Sequence, residues 1–135
     1  MKIDGGCHCG RITYEAEVDP DGSLICHCTD CQTMGGTAFR MVVPTIGDSF
    51  RITAGEPKLY IKVAESGNRR IQAFCGECGT HLYASPADDG PKKYNIRTGT
   101  VRQREQLPPR MQIWHRSARP WVTRIAELEA FEGQH

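Results

Sequence analysis

Seven cysteines are the residues of this chain most able to do chemistry, and all of them lie in three short clusters. Cys7 and Cys9 flank His8, Cys26, Cys28 and Cys31 fall within six residues, and Cys75 and Cys78 enclose Gly76-Glu77. Such spacing presents two or three thiolates from one tight turn, as a tetrahedral zinc requires. Gly10 and Gly79 each follow the last cysteine of a pair, where the missing side chain lets the backbone reverse and its amides approach the sulfurs. Seven thiolates divide into a closed set of four and an open set of three. A structural zinc is saturated by four protein ligands, whereas a catalytic zinc keeps a position open for water or substrate. Spacing alone leaves the pairing open, because Cys28 and Cys31 could also join Cys75 and Cys78 as a distorted ribbon. The 43 residues between those two knuckles exceed the usual ribbon interval of roughly 15 to 20.

The same residues admit other readings. Free cysteines are often buried small hydrophobes, but clustering at ligand spacing argues against that here. A redox relay through Cys26, Cys28 and Cys31 is the stronger rival, since neighbouring thiols exchange disulfides. His8 and His27 lie between ligands, where a short loop turns the intervening side chain away from a metal and towards solvent or the surrounding shell. With an ordinary pKa near neutrality, His27 is also a candidate proton acceptor for an incoming thiol. Asp30 suits an Asx-turn.

In this order the clusters resemble the glutathione-dependent formaldehyde-activating enzyme family, which includes centromere protein V. The carrying motifs are Gly6-Cys7-His8-Cys9-Gly10, Cys26-His27-Cys28-Thr29-Asp30-Cys31-Gln32, Phe74-Cys75-Gly76-Glu77-Cys78-Gly79-Thr80 and the tail from Ile113-Trp114-His115 to Trp121. The resemblance implies a mainly β, Mss4-like fold and two zinc ions per chain. It implies that Cys7, Cys9, Cys75 and Cys78 hold a structural zinc, and Cys26, Cys28 and Cys31 a catalytic one. It further implies a carbon-sulfur lyase-type activity, like that of an S-(hydroxymethyl)glutathione synthase, whose partners are a small-molecule thiol and an aldehyde. Three anionic sulfurs around one Zn²⁺ leave a net negative, weakly Lewis-acidic centre, which favours activating the thiol over polarising the aldehyde. The rival class is a non-catalytic zinc module that binds a protein. Association with nucleic acid is not expected, because the chain lacks a basic tail.

The elements that must position these residues read as short strands. Ile12, Tyr14, Ala16 and Val18 alternate with polar residues over a half-buried strand that Asp19-Pro20-Asp21-Gly22 ends. Leu24 and Ile25 lead into the three-cysteine loop, which Met34-Gly35-Gly36-Thr37 continues. Further strands are expected over 38–43, 50–54, 59–63, 70–74, 81–84, 94–98 and 111–114. The Cys75 pair then falls at a hairpin tip facing the amino-terminal pair. No helix is expected apart from a turn or two over 122–131. Trp114, His115 and Trp121 read as aromatic anchors fastening the chain end to the core.

At 135 residues, 39% of them hydrophobic, the chain suits one domain over residues 1–135 that gains stability from metal. The formal charge of +1 becomes about −2 once seven thiolates and two Zn²⁺ are counted, which gives nonspecific nucleic-acid binding little support. Basic residues concentrate in 91–135, with nine Lys or Arg against four acids; a solvated rim, an anionic ligand or a partner surface would each account for them. An odd cysteine count and the lack of an apolar amino-terminal segment favour a reducing cytoplasm. No run is long and apolar enough to span a membrane.

Overall fold

The computed structural model describes residues 1–134. Two sheets dominate it. The smaller has the order β1-β2-β5, from β1 (Lys2–Gly6), β2 (Thr13–Glu17) and β5 (Arg51–Ala54). The larger has the order β10-β3-β4-β9-β8-β7-β6, built from β3 (Leu24–Cys26), β4 (Arg40–Pro44), β6 (Lys58–Val63), β7 (Arg69–Phe74), β8 (His81–Pro86), β9 (Asn95–Arg97) and β10 (Met111–Ile113). Every pairing is antiparallel except β10 with β3, which is parallel. The fold is therefore mainly β, as the strand pattern and the family resemblance both imply.

The alternation in β2 buries Tyr14 and Ala16 and leaves Glu15 and Glu17 outside. Those buried residues join Ile3 of β1 and Val43, Ala73, Tyr83 and Ile96 of the large sheet in one core. Phe50 closes it, stacked on Tyr14 and Tyr94 and edge-on to Tyr83. β1 was not expected as a strand, because Lys2-Ile3-Asp4-Gly5-Gly6 carries one apolar residue and two glycines. It pairs with β2 over its whole length, and both glycines sit where a side chain would not fit, Gly6 because a Cβ would lie 2.4 Å from the Ile12 carbonyl oxygen. A Cβ on Gly5 would lie 2.2 Å from the Thr100 carbonyl oxygen.

The large sheet has a second, polar face. Cys26 is opposite Arg40, Val42 opposite Arg97, Ala84 opposite both Asn95 and Gln72, and Lys62 opposite Arg70. Since side chains alternate with period two, Cys26, Arg40, Arg97, Gln72, Arg70 and Lys62 share the face turned away from Val43, Ile96 and Tyr83. Over that face lies α1 (Thr29–Gly35), tied down by an ion pair of 2.9 Å between Asp30 and Lys62.

α1 corrects the expected loop. The Cys28 sulfur caps its first turn, accepting the Cys31 amide at 3.2 Å, and Gly36, at φ 65°, ends it in the left-handed conformation. Seven residues are too few for helical periodicity to register in the sequence. Gly35 and Gly36 thus terminate a helix. At the other end of the chain, 3-10 turns span Pro120–Glu127 in place of the expected α-helical turns.

Candidate functional site

Cys7, Cys9, Cys75 and Cys78 come together where the turn after β1 meets the β7–β8 hairpin tip. Both knuckles are made alike. The Gly10 amide donates to the Cys7 carbonyl and the Gly79 amide to the Cys75 carbonyl, and both glycines are left-handed at φ 81° and 79°. Cys7 and Cys9 sulfurs stand 3.6 Å apart, Cys9 and Cys75 sulfurs 3.7 Å. Around a tetrahedral ion with metal–sulfur bonds of about 2.3 Å, sulfurs stand about 3.8 Å apart, so this donor set fits such an ion. Backbone amides supply the outer support: Ile12 donates to Cys7 and Glu77 to Cys75. The Thr80 hydroxyl and backbone amides hold the exposed Cys78 thiol down to about 5.

Cys26, Cys28 and Cys31 form the second group. β3 delivers Cys26, the α1 cap is Cys28, and the first turn of α1 buries Cys31. Sharing of a proton with Cys26 lowers the Cys31 thiol, burial opposes this, and the Arg40 charge assists. The same sharing, together with burial, raises Cys26. Three sulfurs that lie within 4.8 Å of one another could hold a metal ion and leave one position of a tetrahedron open.

Only Cys28 of this trio is partly exposed. It opens on a cleft of about 730 Å³ lined also by Asp30, Lys62, Asn68, Arg70, Trp114 and Arg116. Three cations in the cleft wall face Asp30 and Glu65, and Asp30 is already paired with Lys62. A hollow of about 500 Å³ over β1 and β2 is lined by Lys2, Asp4, Glu15 and Glu17 but touches no cysteine.

His27 is fully buried and so not solvent-facing. Its Nε2 donates to the Gln112 side-chain oxygen at 2.7 Å, and its ring packs edge-on against Phe39 and His115. Of the tail's aromatic residues only His115 packs inward, against His27, and the two tryptophans are not anchors. Trp114 is 44% exposed and Trp121 47%. What fastens the tail is backbone: β10 pairs with β3, and the Gln32 side-chain amide donates to the Ser117 carbonyl at 2.9 Å. Trp114 instead walls the cleft with the Arg116 guanidinium 4.6 Å above its ring. At φ 55° it is the one non-glycine among the described residues with positive φ, a conformation that costs an L-residue about 1–2 kcal/mol.

The family model for the glutathione-dependent formaldehyde-activating enzyme matches residues 2–117, a span holding all three clusters and the cleft. The chain belongs to this family. Among solved structures it is similar to a Rhodobacter sphaeroides protein, at 19% identity and a TM-score of 0.62, over 81% of this chain and 98% of that one. At that identity the likeness speaks for the fold. Family membership points to formaldehyde activation, and the two cysteine groups could bind metal.

Sequence reading did not single out Arg40, Lys62, Arg70, Gln72, Arg97 or Arg116. Arg97 and Arg116 fall in the basic stretch 91–135 noted above, and the alternation in Arg70-Ile71-Gln72-Ala73-Phe74 has a polar side that reads as a solvated face. The structure places that side beneath α1 and the cleft. No helix among the described residues is long and apolar enough to cross a membrane.

Proposed function

We propose that this protein is a zinc-dependent enzyme of carbon-sulfur lyase type, joining formaldehyde or a related aldehyde to a thiol such as glutathione and catalysing the reverse cleavage. The observation that carries the reading is the partly exposed Cys28 of an open three-thiol group, facing a cationic cleft. Cys26, Cys28 and Cys31 would hold the catalytic zinc, while Cys7, Cys9, Cys75 and Cys78 would hold a structural one. Zinc bound in the open group would supply a positive charge that lowers the pKa of an incoming thiol. Arg70 and Arg116, the cleft cations not engaged by Asp30, would draw in and orient the carboxylates of an anionic thiol such as glutathione. Trp114 narrows the space left for the aldehyde, which helps hold sulfur and carbonyl carbon in contact. In the forward direction the sulfur adds to the carbonyl carbon, the carbonyl π pair moves to oxygen, and the proton given up by the thiol ends there as a hydroxyl. A reducing compartment such as the cytoplasm suits seven free thiols.

Aldehydes and thiols also combine unaided, so the decisive measurement is an exchange rate at equilibrium. Two-dimensional exchange NMR of formaldehyde, glutathione and their S-hydroxymethyl adduct should show acceleration by the zinc-loaded protein and none by Cys28→Ser. Running 2-mercaptoethanol alongside tests the cleft: a glutathione preference supports the cationic grip, and parity points to another thiol. No acceleration at full zinc occupancy, across several thiols and aldehydes, would overturn the enzymatic reading. The alternative would then be a zinc-stabilised module that binds a protein, which draws on the exposed Leu59, Tyr60 and Val63 of the edge strand β6.

A further inference from the structure

Arg40 and Arg97 are among the most deeply buried charges in the molecule, 7% and 8% exposed. Neither has a carboxylate partner among the described residues. Both donate through Nη2 to one neutral acceptor, the buried side-chain oxygen of Gln72, at 3.4 and 2.7 Å. Arg40 Nε and Nη1 and Arg97 Nε are buried without a partner. Leaving charges in such a place is costly unless an anion offsets them. An amide cannot, since it carries no net charge.

The anions within reach are sulfurs. Arg40 is opposite Cys26 across the β3–β4 ladder. Arg97 stands on the same face one strand further, and α1 brings Cys31 over that face. Three thiolates around a divalent ion carry one net negative charge, and an anionic fourth ligand would raise that to two. Two guanidinium groups balance two negative charges.

We propose that Arg40 and Arg97, positioned by Gln72, are the built-in counter-charge of the three-cysteine centre and select an anionic fourth ligand, a thiolate, over a neutral one. The proposal rests on the metal-binding reading of Cys26, Cys28 and Cys31. It explains why the sheet spends two buried cations next to these cysteines, and why Gln72 is an amide. A glutamate of the same shape there would offset one of the two positive charges and weaken the bias.

That contrast supplies the test. The cobalt-loaded protein is titrated with 2-mercaptoethanol and, separately, imidazole, with the cobalt absorption bands reporting fourth-ligand binding. Gln72→Glu gives the arginines a carboxylate, so its thermal midpoint should hold or rise. Its affinity for 2-mercaptoethanol should nevertheless fall by about tenfold or more, while that for imidazole changes by less than about twofold. Arg97→Met should shift the same ratio, and Arg97→Lys should largely restore it. If thiolate and imidazole affinities move in parallel in Gln72→Glu, or neither moves, the counter-charge role is wrong and these residues only pack. Should wild type bind cobalt at the four-cysteine group alone, the metal reading of the three-cysteine group fails and this proposal fails with it.

Discussion

The two cysteine groups offer the same donor atom and differ in what they connect. In the four-cysteine group the ligands come from both sheets: Cys7 and Cys9 follow β1 of the small sheet, and Cys75 and Cys78 join β7 to β8 of the large one. Cys9 and Cys75 are 66 residues apart in the chain. A bond across that separation closes a long loop and removes much freedom from the unfolded chain. The three-cysteine group lies within six residues, at the join of β3 and α1. An ion there constrains little that β3 and the α1 cap do not already hold. That difference in reach is what the proposed division of roles, one group for stability and one for chemistry, rests on.

The largest expected effect follows from breaking the long link. Cys75→Ser should lose cooperative thermal unfolding seen by circular dichroism, because structural zinc binding can be worth roughly 10 kcal/mol. A folded, zinc-replete Cys75→Ser protein would end the division of roles. Cys28→Ser should keep wild-type circular dichroism and one zinc by native mass spectrometry, while losing the second zinc and all accelerated exchange. Equal losses of thermal stability in the two mutants would contradict the contrast. Graded chelation under reducing conditions should separate the groups in time: the open group releases its ion first with the fold intact, and the closed group second, together with unfolding. A single release phase would mean that the sites are not independent. Smallest is the effect of the cleft. Arg70→Ala or Arg116→Ala should raise KM for glutathione by about twofold to fivefold, the value of roughly one exposed to half-buried charge pair, with little change for 2-mercaptoethanol or in thermal stability.

Much of this was legible in the residues. Cysteine spacing is set by the local geometry of a knuckle, so Cys7-x-Cys9 and Cys75-x-x-Cys78 show themselves without any tertiary contact. The left-handed Gly10 and Gly79 belong to the same local geometry. Alternation in Thr13–Glu17 likewise exposes its buried side, because period two is a property of a single strand. Local patterns also failed in a consistent way. α1 was missed because a seven-residue helix capped by a thiol has neither length nor a conventional cap, and β1 because its pairing depends on how closely Gly5 can approach Thr100.

By itself, then, the sequence determined the ligand types, their clustering and the β character of the chain, since each is written in spacings of a few residues. Which sulfurs share a site was a matter for the tertiary structure, because only folding brings Cys9 beside Cys75. Folding alone also made the cleft and the buried Arg40-Gln72-Arg97 cluster. A charged residue on a strand looks the same in sequence whether its face meets water or the underside of a helix. What turned that face inward was the packing of α1 over it, held by Asp30 and Lys62, residues 32 positions apart that no local pattern connects.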